Sequence, residues 1–107
     1  MVDYSWQERT ALLFGDEKIS RIRNANVLVV GTGGVGGYAA EMLCRAGVGK
    51  MTIVDADTVQ PSNINRQIIA LHSNTGSSKV EALSKRLKDI NPDLELTSVE
   101  EYLKDEA

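Results

Sequence analysis

Two kinds of apolar pattern alternate along this chain. Val27, Leu28, Val29 and Val30 form an unbroken apolar run, the pattern of a strand buried on both faces of a parallel sheet. A glycine-rich segment follows, then a helix that starts near Val35 and reaches about Arg45, with Ala39, Ala40, Leu43 and Ala46 on its apolar face. Gly47 and Gly49 end it in the manner of C-terminal glycine caps. Met51–Val54 is a second apolar run and completes a βαβ unit. Val80, Leu83, Leu87 and Ile90 then recur at helical spacing, which predicts a second long helix from about Ser78 to Asn91, stopped by Asn91 and Pro92. Leu94–Val99 alternates and supplies a third strand, after which the acidic stretch 100–107 frays or starts a helix.

Ahead of the first strand, Tyr4–Arg23 predicts two short helices separated by Gly15, with Ala11, Leu12, Leu13, Phe14, Ile19 and Ile22 available for docking. Between the second strand and the second long helix the pattern turns polar. In TVQPSNINRQ, Pro61 and the asparagines favour turns or one-turn helices. The alternation predicts an α/β fold, a parallel sheet flanked by helices. Three strands make only half of a doubly wound sheet. The chain is therefore expected to be the N-terminal part of a larger domain, with helices at 4–23 and the βαβ unit, helix and strand at 26–99.

Composition adds little to this picture. At 107 residues, 42% apolar and 25% charged, the chain is one domain of ordinary soluble character. No run approaches a transmembrane span and the first residues lack a signal-peptide core, so a cytoplasmic location is expected. The single cysteine, Cys44, has no disulfide or metal-binding companion and is expected to be a packing residue. His72, also alone, is expected in a loop or packing role. No metal site is expected within the chain. The net charge of −3 argues against indiscriminate nucleic-acid binding. Lys79, Lys85, Arg86 and Lys88 share one helix with Glu81 and Asp89 interleaved, which suggests a solvated face.

The candidate chemistry begins where the first strand ends. Gly31, Gly33, Gly34 and Gly36 let the chain turn sharply and bring amides close to a phosphate, with the positive end of the next helix aimed at the anion. Glycine turns also serve merely to pack a helix near a strand. Here an apolar strand precedes the turn, a helix follows, and Asp55 ends the next strand, where it would accept hydrogen bonds from ribose hydroxyls. A nicotinamide-dinucleotide oxidoreductase would be satisfied by these parts. It has no general need for Asn63, Arg66 and Lys79, which can supply a neutral donor, a bidentate fork and a point charge to phosphate oxygens. Such a set suits a triphosphate under attack, where charge develops as pyrophosphate leaves.

The stretch GTGGVGGYAAEMLCRAGVGKMTIVDADTVQPSNINRQ, followed by GSSKVE, resembles the ATP-dependent adenylating superfamily of ubiquitin-activating enzymes, which includes ThiF and MoeB. The resemblance extends over about residues 4–98. It implies a Rossmann-like adenylating domain that uses ATP and Mg²⁺. Gly31, Gly33, Gly34 and Gly36 would surround the ATP, Asp55 would hold the ribose, and Asp57 would shape the adjoining turn. Asn63, Arg66 and Lys79 would contact the phosphates. An N-terminal arginine of the family reaches into the neighbouring subunit's site, and Arg9 in RTALLFG is its best match, which implies a homodimer. Within the family, a carboxylate attacks the α-phosphorus of ATP to give an acyl-adenylate and pyrophosphate.

The pieces WQERTALLFGDEKI and NRQIIALHSNTGSSKVE look most like the tRNA threonylcarbamoyladenosine dehydratase branch, TcdA. That likeness implies tRNA as substrate and ring closure with loss of water. Activation of the C-terminal glycine of a ubiquitin-like sulfur-carrier protein fits the same features, and a non-catalytic subunit of a heterodimeric activator is a third reading. The departure from the family lies in length. Its members are usually more than twice as long, and the metal-binding aspartate, crossover segment and any catalytic cysteine would lie past residue 107. The 107 residues alone are expected to be inactive or to bind nucleotide weakly.

Overall fold

The three predicted strands and two long helices form within a residue of their expected bounds. The computed structural model describes residues 3–101, so the expectation for the terminal stretch lies outside the described residues from position 102 onward. A 3₁₀ turn, Ser5–Gln7, leads into α1 (Glu8–Arg23), then β1 (Asn26–Val30), α2 (Gly34–Ala46) and β2 (Lys50–Val54). Two 3₁₀ turns, Pro61–Asn63 and His72–Asn74, precede α3 (Lys79–Ile90) and β3 (Glu95–Val99). Among the described residues no helix is long and apolar enough to cross a membrane.

The sheet runs β1-β2-β3 with every pair parallel, Val29 opposite Ile53 and Ile53 opposite Ser98. Val29, Met51 and Ile53 of the sheet form one cluster with Ala40 and Cys44 of α2 and Leu83 and Leu87 of α3, so both crossover helices cover the same face. Among the described residues the opposite face of β1 has no such cover. Leu28 is 59% and Val30 53% exposed, which corrects the expectation that β1 is buried on both sides. Burial on two faces needs helices on two faces, and the described residues supply one layer.

Gly15 does separate two helical halves, because its φ of 82° and ψ of 165° break α1 at that residue. Docking of the first half differs from expectation: Leu12, Leu13 and Phe14 are exposed, and Ile19 is the buried residue of α1. The anchor ahead of the helix is polar. Gln7 is 1% exposed, its Oε1 accepts from Arg23 Nε at 2.9 Å, and the Arg23 guanidinium lies 3.6 Å from the centre of the Tyr4 ring.

The buried face of α2 comprises Gly37, Ala40, Glu41 and Cys44, while Ala39 and Ala46, expected inside, are exposed. Gly47 caps this helix in the left-handed region, φ 105°, with its N–H on Cys44 O at 3.0 Å. Gly49 is not a cap. A Cβ there would strike the carbonyl of Arg23, so it is glycine for close approach.

Ser78 begins α3 by accepting the Glu81 N–H at 3.4 Å, and Val80, Leu83 and Leu87 are buried. The solvated face expected of its cations holds for Lys85 and Lys88, exposed with Glu81 and Asp89, but not for Lys79 and Arg86. Lys79 is buried, Arg86 pairs with Glu41 across to α2, and Lys88 Nζ donates to Pro92 O and Leu94 O, each at 2.8 Å. Val59 and Ile69, from the polar connection and its sequel, fill the core beside them.

Candidate functional site

The glycine turn sits where β1 ends, and β2 continues the sheet beside it: Gly31 N–H donates to Val54 O at 2.7 Å. Gly31 (φ 86°) and Gly34 (φ 49°) adopt backbone that side chains rarely tolerate, and a Cβ on Gly36 would strike Gly31 O. Gly33, the N-cap of α2, brings no side-chain acceptor to the helix start. Gly36 N–H turns back to Gly33 O at 3.1 Å, and no side chain caps the amides of Gly34 and Val35 ahead of it, which leaves them for an anion.

Thr32, fully buried within the turn, reaches the end of β2. Its backbone N–H and its hydroxyl both donate to Asp55 Oδ2, at 2.8 and 3.0 Å, while Asp57 N–H donates to Asp55 Oδ1 at 2.9 Å. Burial pushes the Asp55 carboxyl upward, but the amides of Thr32 and Asp57, the Thr32 hydroxyl and the charge of Lys79 outweigh it and hold the group below its ordinary range. It is an anion across neutral pH.

Lys79 opens α3 with 7% of its surface exposed. A short ladder holds its start against the segment after β2: Lys79 N–H to Asp57 O at 3.0 Å, Val59 N–H to Ser77 O at 2.8 Å, and an antiparallel bridge between Thr58 and Ser78. The ammonium stands 4.0 Å from Asp57 Oδ2. Asn63 is buried in the 3₁₀ turn, its Oδ1 taking the Gln60 N–H at 2.9 Å and its peptide oxygen taking Arg66 N–H and Gln67 N–H at 3.1 and 2.9 Å.

The fold thus gathers the glycine turn, Asp55, Asp57 and Lys79, and Asn63 joins them through the turn that carries Gln67. Arg66 lies on the Asn63 turn with its side chain engaged there, and Arg9 lies on α1. Arg66 Nη1 folds back on its own turn, to Ser62 O at 3.0 Å and Asn65 Oδ1 at 2.9 Å. Arg9 is exposed beside Glu8, Leu12 and Leu13 on an open cleft of α1. No group of three or more His, Cys, Asp or Glu among the described residues is arranged to hold a metal ion.

Sequence reasoning missed Thr32 and Gln67. The amide of Gln67 rests on Gly33, and its buried Oε1 has no hydrogen-bond partner. The available signal was position: Thr32 lies inside the glycine motif and Gln67 directly after Arg66. Glu41 was missed for a different reason, since a charge on the buried face of α2 makes sense only beside Arg86 and Arg45. Arg86 chiefly holds the Glu41 carboxyl below its ordinary range, against the opposing effect of burial and with help from Arg45.

A parallel sheet whose first strand enters a helix through an uncapped glycine turn, with an aspartate fixed at the end of the second strand, defines a Rossmann-like α/β protein. The chain belongs to the ThiF family, with residues 4–107 matched. It is 40% identical over 106 residues to tRNA threonylcarbamoyladenosine dehydratase of Escherichia coli, covering 96% of this chain and 40% of that protein. To molybdopterin-synthase adenylyltransferase of Salmonella typhimurium it is 42% identical over 94 residues, 88% of this chain and 38% of that one. The solved structure of the E. coli dehydratase TcdA in complex with ATP superposes with a TM-score of 0.90 at 39% identity, covering 97% of this chain and 44% of the other. The chain thus spans about 40% of the length of these two curated relatives.

Proposed function

We propose that this chain forms the nucleotide-binding portion of an ATP-dependent adenylating enzyme acting on the carboxylate of threonylcarbamoyladenosine in tRNA. The observation that carries this reading is the junction of an uncapped glycine turn with an ionised Asp55 and a buried Lys79. Likeness to an ATP-bound dehydratase supports it.

The residues fit ATP. A Cβ on Gly31 or Gly34 would meet no atom within 4 Å, so open space adjoins the turn, and the amides of α2 have no side-chain cap to displace. In this reading Gly31, Gly33, Gly34 and Gly36 line the phosphate cradle and Asp55 accepts from the ribose. Asp57 holds Lys79, which meets the phosphates with Asn63. Arg66 leaves its own turn to join them, and Arg9 enters the site of a second copy in a homodimer. Bound ATP supplies the electrophilic α-phosphorus, and Mg²⁺ accompanies its phosphates. The chain's own contribution is position and positive charge, since a carboxylate nucleophile needs no base at neutral pH.

Similarity to a molybdopterin-synthase adenylyltransferase favours a second reading, in which the carboxylate is the C-terminus of a ubiquitin-like sulfur carrier. The test uses the complete enzyme with ATP, magnesium and tRNA bearing threonylcarbamoyladenosine, followed by mass spectrometry of the nucleosides. ATP-dependent loss of one water is expected. An unchanged nucleoside would shift the assignment to the carrier protein.

A further inference from the structure

The glycine turn contains one glycine that its backbone does not require. Gly33 has φ −90° and ψ 168°, extended geometry that any residue adopts, unlike Gly31 and Gly34 with their positive φ. A side chain at position 33 would have to displace the end of Gln67. A Cβ on Gly33 would lie 2.7 Å from Gln67 Oε1, 2.8 Å from Cδ and 2.8 Å from Nε2. Near-equal distances to the three atoms of one planar group mean that the amide is laid across the glycine.

We infer that Gln67 is a positioning residue for the nucleotide site, setting the glycine turn against the turn that carries Asn63 and Arg66. Packing, rather than hydrogen bonding, holds it there, because Oε1 is buried with no partner. Its own backbone N–H is bonded to Asn63 O at 2.9 Å, and the same oxygen takes Arg66 N–H at 3.1 Å. One side chain therefore links two segments assigned to phosphate. A shift of Gln67 moves the spacing between α2's amides and Asn63, and that spacing must match the separation of phosphate groups on one ligand. This inference rests on the ATP reading given above.

The test is a double-mutant cycle in the complete enzyme, read as ATP dissociation constants by calorimetry, with thermal melting in parallel. Gly33→Ala is expected to weaken ATP at least about 10-fold by pushing Gln67 away, and Gln67→Ala several-fold by releasing the turn. The Gly33→Ala/Gln67→Ala pair, with the obstruction removed, is expected to bind ATP about as tightly as Gln67→Ala alone, and so more tightly than Gly33→Ala. A merely structural role for Gln67 would give losses that add, or accumulate in melting temperature without recovery of ATP affinity. Either result would overturn the inference while leaving the ATP site standing. Absence of ATP binding by the wild-type enzyme would overturn the functional reading and this inference with it.

Discussion

Thr32 gives both its backbone N–H and its hydroxyl to one oxygen of Asp55, which fastens the glycine turn to the end of β2. Thr32→Val keeps the shape and the amide bond but removes the hydroxyl from a fully buried position. A lost hydrogen bond to a charged acceptor costs about 1.5–3 kcal/mol. The variant should therefore show a lower urea midpoint at pH 7, and an unchanged midpoint would refute the tie.

Under the proposed reading, Lys79 meets the phosphates of ATP, and a dinucleotide site has no general need of it. Lys79→Ala is expected to weaken ATP binding at least about 10-fold, the loss of a charge-assisted contact to phosphate. NADH binding, if any is detected, should not change. Calorimetry with the two nucleotides decides the matter, and equal loss for both would remove the role assigned to Lys79.

Arg9 and Lys79 are assigned to different subunits of one composite site. Mixed dimers of Arg9→Ala and Lys79→Ala chains of the complete enzyme each contain one site with both residues intact. Such mixtures should recover up to about half the activity per hybrid dimer, whereas either variant alone is inactive. Verified hybrids with no recovery would place Arg9 in its own subunit's surface.

Acid should destabilise the fold through two carboxylates. Glu41, held down chiefly by Arg86, and Asp55, held down against burial by the bonds of Thr32 and Asp57, both have folded values below their unfolded ones. Folding therefore favours their ionised forms. Their contribution is complete above about pH 5 and is lost as pH falls through the folded values. Urea unfolding between pH 7 and pH 3 measures this. Glu41→Gln should flatten the acid limb, and a variant curve parallel to wild type would exclude Glu41 as a source of the slope.

Cys44 is fully buried, donates Sγ–H to Leu87 O at 3.4 Å, and has its thiol pushed up to about 11 by burial, against the charge of Arg45. At pH 8 the native thiol is neutral and enclosed. A chromogenic disulfide reagent should react with it at the rate of unfolding, and rapidly only in denaturant. Fast native labelling would contradict the packing role.

Much of the fold was legible because periodicity survives in short runs. The strands, the helix over Lys79–Ile90 and the break at Gly15 follow from residues whose patterns agree with their environment. The errors arose where tertiary contacts decide. Leu28 and Val30 look like core residues, but one helical layer leaves them exposed. Glu41 looks like a surface residue, and its burial depends on Arg86, which lies far along the chain on another helix. The positions of Asp55, just after β2, and of Lys79, at the head of α3, followed from the pattern. The amide packing of Gln67 on Gly33 did not, since no pattern in one sequence reveals which glycine is small for the sake of a distant neighbour.

The parallel sheet also governs how the chain can reach this state. Asn26 pairs with Lys50, and Lys50 with Glu95, so no strand can zip to its neighbour from a tight hairpin. Each pairing waits for an intervening helix to fold and for the chain to double back along it. Gly47, the left-handed residue where α2 turns toward β2, lies within the connection that the first strand pair must close, so the parallel order makes the sheet's contacts non-local and its folding slower than a hairpin's.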